Sequence, residues 1–309
     1  MSELLKPSSD DIANTGARNV TDNGANAGAN SVAGNVANSV ADSGEQGEPS
    51  GQTKDGAPTA DQAINSIDTA TGKQAPASIS SERVKKIFTD IAWDYERFNA
   101  CSSFGQYRSW LKTLIDKAPI RPDSLMLDIA GGTGDVTFMA CERKQPAHII
   151  LSDYTPAMLD VAQTRLDAGE ANGVPVVLAV VDGQDIPFDD DVFDIVTMSY
   201  GIRNMPQRDK ALKEMYRVLC PGGALCILEF STPPNPLMRF GYNLYLRWGI
   251  PAWGKLVTGD DSGFVYLANS IKAFPDQNGF AQMLYDAGFS RVEYTNVTFG
   301  VAAIHIAYK

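Results

Sequence analysis

The segment Leu125–Thr137 reads L-M-L-D-I-A-G-G-T-G-D-V-T, and its residue types point to ligand binding. An apolar run that ends in an acid and is followed by glycines predicts a buried strand that stops at a tight turn. Since glycine has no Cβ, Gly131, Gly132 and Gly134 permit positive φ and let a flat polar ligand approach the main chain. The pattern predicts a cofactor pocket at the carboxyl end of this strand, with a plain glycine-rich turn as the alternative.

The residues after the turn indicate which nucleotide cofactor fits it. Nicotinamide and flavin folds seat a pyrophosphate with G-x-G-x-x-G, and Gly132–Thr137 lacks the third glycine. Asp135 would also place a negative charge where a phosphate binds at a helix N-terminus. We therefore expect S-adenosylmethionine, which has a cationic amino-acid end and no phosphate. A nicotinamide oxidoreductase is the less favoured alternative.

Two further predicted strands also end in acids. Asp153 stands 19 residues after Gly134, a spacing at which a carboxylate binds both ribose hydroxyls, although an ordinary helix-capping Asp gives the same pattern. Asp182 with Gly183 ends the next strand, where a common Asp-Gly turn is the alternative. Together with Asp128, these acids occupy three successive strand ends, so we expect them to share one crevice.

The fourth predicted strand ends in T-M-S-Y-G-I-R-N, which places Ser199 at its tip and Arg203 just beyond it. Because strand tips at the carboxyl edge line the ligand crevice in this fold class, both residues are site candidates. A solvated surface arginine is the alternative for Arg203. Glu229 ends the fifth strand, where it either faces the same crevice or simply terminates the strand.

The elements that must position these residues alternate between strand and helix. Strands are predicted over 125–129, 148–152, 176–181, 192–199 and, after a turn at Cys220–Gly223, 224–230, and helices over 135–143, 156–168 and 209–219. Because the strands are runs of Ile, Val and Leu, we expect a parallel sheet covered on both faces. After a helix over 280–287, the short link between 291–295 and 301–308 predicts an antiparallel hairpin. The predicted fold class is α/β, a Rossmann-like doubly wound sheet with parallel strands one to five.

Two segments outside this alternation are expected to cover the site. Residues 81–122 predict amphipathic helices, one over 84–92 with a serine cap and one over 107–117. Residues 233–275 form a lid-like insertion rich in Tyr, Trp, Phe and Leu, and insertions of this length are usually functional. Its stretch 237–257 either grips a lipid tail or touches anionic lipid, or else packs plainly on the sheet.

Composition separates a tail from one ordered domain. Residues 1–80 of the 309 carry 4 Lys and Arg against 10 Asp and Glu, which accounts for more than half of the net charge of −11. Their Ala, Asn, Gly, Ser and Asp cannot bury enough apolar surface to fold. We expect a disordered acidic tail over 1–80, without the pattern of a targeting peptide, and one domain over 81–309.

Composition also argues against several classes of function. Neither part is basic enough for a nucleic-acid groove. Four cysteines without C-x-x-C spacing and two histidines argue against a metal site and are typical of reduced cysteines in a cytosolic protein. No uninterrupted apolar stretch reaches the roughly 20 residues that span a bilayer. We expect a cytoplasmic protein, for which peripheral contact with the inner face of the cell membrane and a homo-oligomer both stay open.

The chain from about Ser81 to Lys309 resembles the UbiE/COQ5 methyltransferases of menaquinone and ubiquinone synthesis. The segments that carry the resemblance are L-D-I-A-G-G-T-G-D, M-S-Y-G-I-R-N, R-V-L-C-P-G-G-A-L-C-I-L-E-F-S and Y-L-A-N-S-I-K-A-F-P-D-Q. The resemblance implies a class I S-adenosylmethionine-dependent methyltransferase fold, no metal, and methyl transfer to a ring carbon of a polyprenyl hydroquinone. Matched by position, the cofactor contacts would be Thr133, Asp153, Asp182 with Gly183, and Ser199.

The acceptor side of the chain departs from the family pattern. The family signature Y-D-x-M-N, followed by Ser, His and Trp, begins here as Y-E-R-F-N, and Tyr107 stands where the family has His. The acceptor contacts that we expect are Tyr95, Asn99, Tyr107 and Tyr266.

Methylation at carbon needs an electron-rich ring, which a hydroquinone becomes when one hydroxyl loses its proton. Because phenols have a pKa near ~10, a nearby base or cation must assist at neutral pH. Arg203 is the candidate that stabilises the phenolate, since an always-charged arginine is a poor base. Tyr107 is a second catalytic candidate, as a hydroxyl that contacts the acceptor.

The resemblance thus predicts conversion of demethylmenaquinol to menaquinol in menaquinone biosynthesis. Three alternatives stay open from the residues. The first is another phenolic or lipophilic acceptor, such as a ubiquinone-pathway benzoquinol. The second is transfer to oxygen, and the third is a non-catalytic cofactor-binding subunit of a quinone-synthesis complex.

Overall fold

The computed structural model describes Thr89, Ser103 and residues 105–250 and 262–309. The predicted tail over 1–80 lies outside the described residues, as does the predicted helix over 84–92 apart from Thr89. So do the acceptor candidates Tyr95 and Asn99.

The described strands form one mixed sheet. They are β1 (Leu125–Asp128), β2 (His148–Asp153), β3 (Val176–Val180), β4 (Phe193–Ser199), β5 (Leu219–Phe230), β6 (Arg291–Val297) and β7 (Ala302–Tyr308). The order across the sheet is β3-β2-β1-β4-β5-β7-β6. The neighbours from β3 to β5 are parallel, whereas β7 is antiparallel to both β5 and β6. The predicted α/β fold with a closing hairpin is confirmed.

The helices follow the predicted alternation. They are α1 (Tyr107–Lys117), α2 (Asp135–Arg143), α3 (Pro156–Asp167), α4 (Arg208–Val218), α5 (Pro236–Leu244), α6 (Ser262–Ala273) and α7 (Gln277–Asp286), with 3₁₀ turns at Ile202–Asn204 and Thr298–Gly300 and a π-helical turn at Tyr245–Gly249. None of the helices in the described ranges is long and apolar enough to cross a membrane.

The sheet is buried on both faces, as its apolar strands predicted. Met126 and Ile149 belong to a hydrophobic cluster on one face, whereas their neighbours Leu127 and Ile150 belong to a cluster on the other. All four side chains are at most 1% exposed. The strand tips, rather than the strand faces, are therefore where a ligand can meet the sheet.

The prediction of a turn at Cys220–Gly223 is wrong, because β5 starts at Leu219 and includes these residues. Phe193 of β4 pairs with Leu219 and Ile195 pairs with Ala224, so the intervening residues form a bulge. The backbone of this bulge is held by the last residue of the chain: Gly222 N–H donates to the Lys309 carbonyl, and Lys309 N–H donates to the Gly223 carbonyl. The local sequence contains no sign of this distant partner.

Asp128 ends β1 as a fully buried carboxylate that joins several elements. Its Oδ2 accepts a hydrogen bond from Thr137 Oγ1 of α2 at 2.8 Å, and its Oδ1 accepts one from Thr197 Oγ1 of β4 at 2.7 Å. Ser152 Oγ of β2 donates to the Asp128 carbonyl oxygen at 3.0 Å. Burial raises the pKa of Asp128 to about 6, although the hydroxyl donors act in the opposite direction.

We predict that Asp128→Ala lowers the free energy of unfolding by about 3 kcal/mol, because it leaves two buried hydroxyls without their acceptor. Asp128→Asn keeps a carbonyl oxygen in the same place and should cost about 1 kcal/mol. Urea unfolding at pH 7 measures both losses. Equal losses in the two variants would contradict a role for these hydrogen bonds.

The difference in stability between the wild type and Asp128→Asn should depend on pH. The folded carboxyl, with its pKa of about 6, holds its proton more firmly than the unfolded one, whose pKa is about 3.9. Its contribution to stability is therefore full below about pH 4 and is lost as the pH rises through 6. Between pH 5 and pH 7, the difference between wild type and Asp128→Asn should move in favour of the variant by about 1 kcal/mol.

Candidate active site

Several residues of the turn after β1 have left-handed backbone conformations. Gly132 and Gly134 have φ of +58° and +91°, and Ala130 before them has φ of +51°. Gly131 does not use the positive φ that a glycine permits. Gly131 is needed for space instead, because a Cβ at this position would lie 2.3 Å from Cδ1 of Leu151. The turn thus packs tightly below while its main chain borders a crevice.

Asp153, at the end of β2, stabilises this turn through hydrogen bonds to the backbone. Its Oδ2 accepts a hydrogen bond from Gly132 N–H at 3.0 Å, and its Oδ1 accepts one from Thr155 N–H at 2.8 Å at the start of α3. Burial raises its pKa to about 6, against the effect of these donors. Thr155 is the N-cap residue of α3 and no side chain caps the helix, so Asp153 binds the backbone just before α3 rather than capping it. Each carboxylate oxygen still has a lone pair for a further donor such as a ribose hydroxyl.

A crevice opens at the strand tips beside the glycine turn. It is lined by Tyr107, Leu111, Ala130, Gly131, Thr133, Asp135, Ser199 and Tyr200. Of the predicted site residues, the lining contains Tyr107, Gly131, Thr133 and Ser199. Gly132 and Gly134 are buried residues of the turn itself and do not line the crevice.

Two lining residues, Leu111 and Tyr200, were missed by the sequence reasoning. Leu111 was identified only as part of the apolar side of α1, and nothing in its pattern marks one such residue as facing a ligand. Tyr200 follows Ser199 at the strand tip and has φ of +56°, a conformation that an aromatic residue rarely adopts. Its place directly after a candidate residue was the available signal.

Thr133 supplies a test of whether a polar cofactor fits. Its side chain is 3% exposed, and its Oγ1 has no hydrogen-bond partner among the described residues. Buried polar atoms in native proteins are almost always paired. An acceptor or donor on a ligand in the crevice would satisfy this hydroxyl, so the residues at the turn fit a bound polar group.

Asp135 does not present a free negative charge, contrary to the expectation from the sequence. Arg165 of α3 pairs with it, with Nη1 lying 2.8 Å from Asp135 Oδ1. The same Nη1 donates to the Thr133 carbonyl at 3.0 Å, and Arg165 also pairs with Glu170. The argument against a pyrophosphate therefore rests on the missing third glycine rather than on this acid.

Asp182 and Gly183 follow β3 and form a tight turn. Asp182 Oδ1 accepts hydrogen bonds from the backbone N–H and the Nε2 of Gln184 at 2.9 and 3.1 Å. A Cβ on Gly183 would lie 2.7 Å from Met205 Cε and 3.0 Å from Ile129 Cγ2, which explains the glycine. Neither residue lines the crevice itself.

The three strand-end acids do not share one crevice, so this expectation is wrong. Asp128 is fully buried and accepts from the hydroxyls of Thr137 and Thr197 beneath the turn, whereas Asp153 is half-buried and Asp182 is engaged in its own turn. Asp153 is nevertheless near enough for its charge to contribute to the raised pKa of Asp128. One of the three acids is structural. Neither Asp153 nor Asp182 lines the crevice itself, and Asp153 is joined to the glycine turn through Gly132 N–H.

Arg203 lies in a buried ion pair rather than in solvent. Its Nη1 is 2.8 Å from Glu229 Oε1, and the exposures of the two side chains are 5% and 2%. The guanidinium also donates to the Tyr200 carbonyl, and it lies 5.5 Å from the ring centre of Phe230. Burial raises the pKa of Glu229, and Arg203 opposes that rise. Arg203 Nε has no hydrogen-bond partner among the described residues.

The two described tyrosine candidates differ in position. Tyr107 begins α1, lines the crevice and is 4% exposed, and its hydroxyl accepts a hydrogen bond from Arg108 Nε at 3.1 Å. Tyr266 is half-buried on α6, and its hydroxyl donates to Asn204 Oδ1 at 3.0 Å. Burial raises the pKa of Tyr266, and the nearby Arg203 opposes the change. Tyr266 therefore reaches the 3₁₀ turn that carries Arg203.

Histidine and cysteine have no evident chemical role near the crevice. Burial lowers the pKa of His305 to about 4, and its Nε2 lies 3.0 Å from the Gln277 carbonyl oxygen. Cys141 and Cys226 are free and buried. In the part of the chain that the structure describes, no group of His, Cys, Asp and Glu is arranged to hold a metal ion.

Residues 77–309 match the model of the ubiE/COQ5 methyltransferase family. The chain is 42% identical over 238 residues to the ubiquinone/menaquinone biosynthesis C-methyltransferase UbiE of Francisella tularensis subsp. mediasiatica, which covers 76% of this chain and 94% of that protein. It is also 42% identical over 242 residues to the Shewanella frigidimarina protein of the same name, at 77% and 94% coverage.

Solved structures with a similar fold have much lower identity. The [4+2]-cyclase SpnF is 16% identical with a TM-score of 0.56, over 77% of this chain and 99% of that one. A putative methyltransferase in complex with the Haloferax volcanii Trm112 activator is 16% identical with a TM-score of 0.53, over 72% and 96%. These likenesses show the fold alone. The family match, which includes every described residue, and the 42% identity to the two relatives show that this chain belongs to the ubiE/COQ5 methyltransferase family and is an S-adenosylmethionine-dependent methyltransferase.

Proposed function

We propose that the protein methylates a ring carbon of a polyprenyl hydroquinone and that demethylmenaquinol is its acceptor. The observation that carries the proposal is the mixed lining of the crevice. The glycine turn, Thr133 and Ser199 offer main chain and hydroxyls, whereas Tyr107, Leu111 and Tyr200 offer aromatic and aliphatic surface. A polar cofactor and a planar apolar ring match these two kinds of lining. The two relatives are named for both ubiquinone and menaquinone biosynthesis, so a ubiquinone-pathway benzoquinol is the second candidate.

The test of the acceptor is turnover of isotope-labelled S-adenosylmethionine with demethylmenaquinol and, in parallel, with the demethylated benzoquinol. We expect label in the menaquinol product, on a ring carbon by mass and NMR, and a larger kcat/KM than with the benzoquinol. A labelled methyl ether would contradict transfer to carbon. Cofactor binding without turnover on either quinol would favour a non-catalytic subunit.

The cofactor residues have distinct roles in the proposal. When bound, S-adenosylmethionine supplies a methyl group activated by the positive sulfonium. Asp153 would accept hydrogen bonds from the ribose hydroxyls, the Thr133 hydroxyl would gain its missing partner, and Ser199 would contact the cofactor from the tip of β4. Asp182 and Gly183 would shape the adjacent wall of the site.

We predict that the affinity for S-adenosylmethionine depends on pH through Asp153. Only the ionised carboxylate accepts from both ribose hydroxyls, and its pKa in the free protein is about 6. The Kd should therefore rise as the pH falls below 6, approaching about tenfold per pH unit. Calorimetry between pH 5 and pH 8 measures the slope. Asp153→Asn should bind more weakly at pH 8 and lose most of the slope, and an unchanged slope in this variant would assign the titration elsewhere.

Arg203 is the proposed cation beside the acceptor. A positive charge near a quinol hydroxyl favours its phenolate, which is the form with an electron-rich ring. The position supports this role, since Arg203 contacts the carbonyl of the crevice residue Tyr200 and has one N–H, at Nε, without a partner among the described residues. Glu229 holds the guanidinium in place but also offsets its charge. Tyr107, Tyr266, Tyr95 and Asn99 are the proposed hydroxyl contacts.

Removing Arg203 alone would leave Glu229 as an unpaired buried charge, so the decisive variant changes both residues. We expect Arg203→Met with Glu229→Gln to lower kcat about 100-fold, as loss of an electrostatic contact to a developing anion does. The acidic limb of the kcat–pH profile of this double variant should also shift to higher pH, because the quinol hydroxyl loses its proton less readily without the cation. Arg203→Lys should retain more activity than the double variant, and Glu229→Gln alone is the matched control. A folded double variant with full kcat at every pH would contradict this role.

A further inference from the structure

The segment after β5 has two apolar faces, of which only one is covered by the protein. Tyr242, Leu246 and Ile250 recur every four residues and are at most 9% exposed. On the opposite side, spaced by three and four residues, are Leu237, Phe240, Leu244 and Trp248, with exposures of 78%, 71%, 53% and 63%. A surface helix normally has charged or polar residues on its outer face. The outer apolar face of α5 and the following π-helical turn therefore has no partner among the residues that the structure describes.

This outer face is the main concentration of exposed apolar side chains in the described part of the chain. We call Leu237, Met238, Phe240, Leu244 and Trp248 the α5 face. They account for half of the ten large apolar residues that are exposed in the described ranges. Contiguous exposed apolar surface of this kind marks a contact with a partner or a membrane.

A second feature adds to the same surface. The hairpin turn Thr298–Gly300 between β6 and β7 holds Thr298 and Phe299 at φ of +44° and +58°, conformations that cost energy for such residues. The Phe299 side chain is 75% exposed at the tip of this turn. The turn lies beside the start of α5, since a Cβ on Gly300 would lie 2.5 Å from Pro234 Cδ. A strained backbone that presents an aromatic ring to solvent adds a second apolar element beside α5.

The charge of the segment is opposite to that of the whole protein. Residues 231–250 contain two arginines and no acid, in a chain with a net charge of −11. Arg247 is exposed and lies over the Trp248 ring at 5.4 Å. Arg239 is also exposed, and it donates to the Pro233 and Pro234 carbonyls without an acidic partner among the described residues. Apolar side chains flanked by arginines match the boundary between acyl chains and anionic headgroups.

We infer that the α5 face and Phe299 dock the protein onto the surface of an anionic lipid bilayer. A second copy of the chain is the less suitable occupant, because a twofold interface pairs a surface with itself, and residues 231–250 offer two arginines and no acid to pair with them. The inference rests on the proposed function in one respect: an acceptor with a polyprenyl tail resides in a bilayer, so a docked enzyme has direct access to it. The surface itself and its binding to lipid do not require any acceptor.

The experiment measures flotation of the full-length protein with vesicles, in the absence of any quinol. One set of vesicles is phosphatidylcholine alone, and the other contains phosphatidylglycerol as well. We expect binding to the anionic vesicles that weakens at high salt. The variant Leu237→Ser with Phe240→Ser and Leu244→Ser should bind at least tenfold more weakly, since burial of one large apolar side chain is worth about that factor. Arg247→Gln should weaken binding to the anionic vesicles only.

Two controls match these changes elsewhere on the surface. Val180→Ser alters an apolar side chain on β3 that is 59% exposed, and Lys213→Gln removes an exposed charge on α4. Both should bind vesicles like the wild type. The triple variant should retain its melting temperature and its turnover of an acceptor with a short tail in solution, because the altered side chains are exposed.

Two results would overturn the inference: no wild-type binding to either kind of vesicle, or unchanged binding by the triple variant. In the first case, a dimer that dissociates in the triple variant would assign the face to a second copy of the chain. Failure of the proposed function is a separate result. A protein that binds vesicles through this face but methylates no quinol supports the docking surface and contradicts the proposed acceptor.

Discussion

One buried carboxylate fixes the geometry on which the site depends. Asp128 accepts hydroxyls from α2 and β4, and its carbonyl oxygen accepts one from β2. A buried charge without such donors is strongly destabilising, so these hydrogen bonds must be kept in the folded protein. They hold the start of α2 and the tips of β2 and β4 at fixed distances from Asp128. The glycine turn closes over this group, and a Cβ on Gly131 would lie 2.8 Å from Asp128 Oδ2. The need for glycine in the turn is thus partly a consequence of the acid beneath it.

The charges around the crevice are paired, and this affects which ligands suit it. Arg165 pairs with Asp135, and Glu229 pairs with Arg203 and partly offsets its charge, each across 2.8 Å. Asp153 is the acid at the turn whose described partners are backbone N–H groups rather than a cation. A site with this balance accommodates a cofactor with cationic groups more readily than a pyrophosphate. The two negative charges of a pyrophosphate would face the Asp153 carboxylate, and the described residues at the turn offer no unpaired cation to offset them. The electrostatics therefore favour the same cofactor as the missing third glycine.

The sequence predicted those features that depend on local pattern. The strand runs, the bounds of α1 and α2 and the closing hairpin all follow from periodicity and from a link too short for a crossover. What failed depends on distant partners. The bulge in β5 is held by Lys309, and the charge of Asp135 is cancelled by Arg165 on another helix. Of the crevice, the strand-tip residues were predictable, whereas Leu111 was hidden among equivalent apolar positions of its helix.

The fold does not by itself determine the reaction, since a [4+2]-cyclase has a similar fold at a TM-score of 0.56. The cofactor side of the crevice is built from strand tips that the sheet requires in any case. Tyr107 and Leu111 come instead from α1, a helix that packs against the sheet and adds no strand to it. In the proposed function, where α1 contacts the acceptor, substitutions on the crevice side of α1 change the acceptor while the sheet and the glycine turn keep their geometry. The proposal thus accounts for a chain that keeps the glycine-turn segment of its family resemblance and departs from the family pattern at Tyr107.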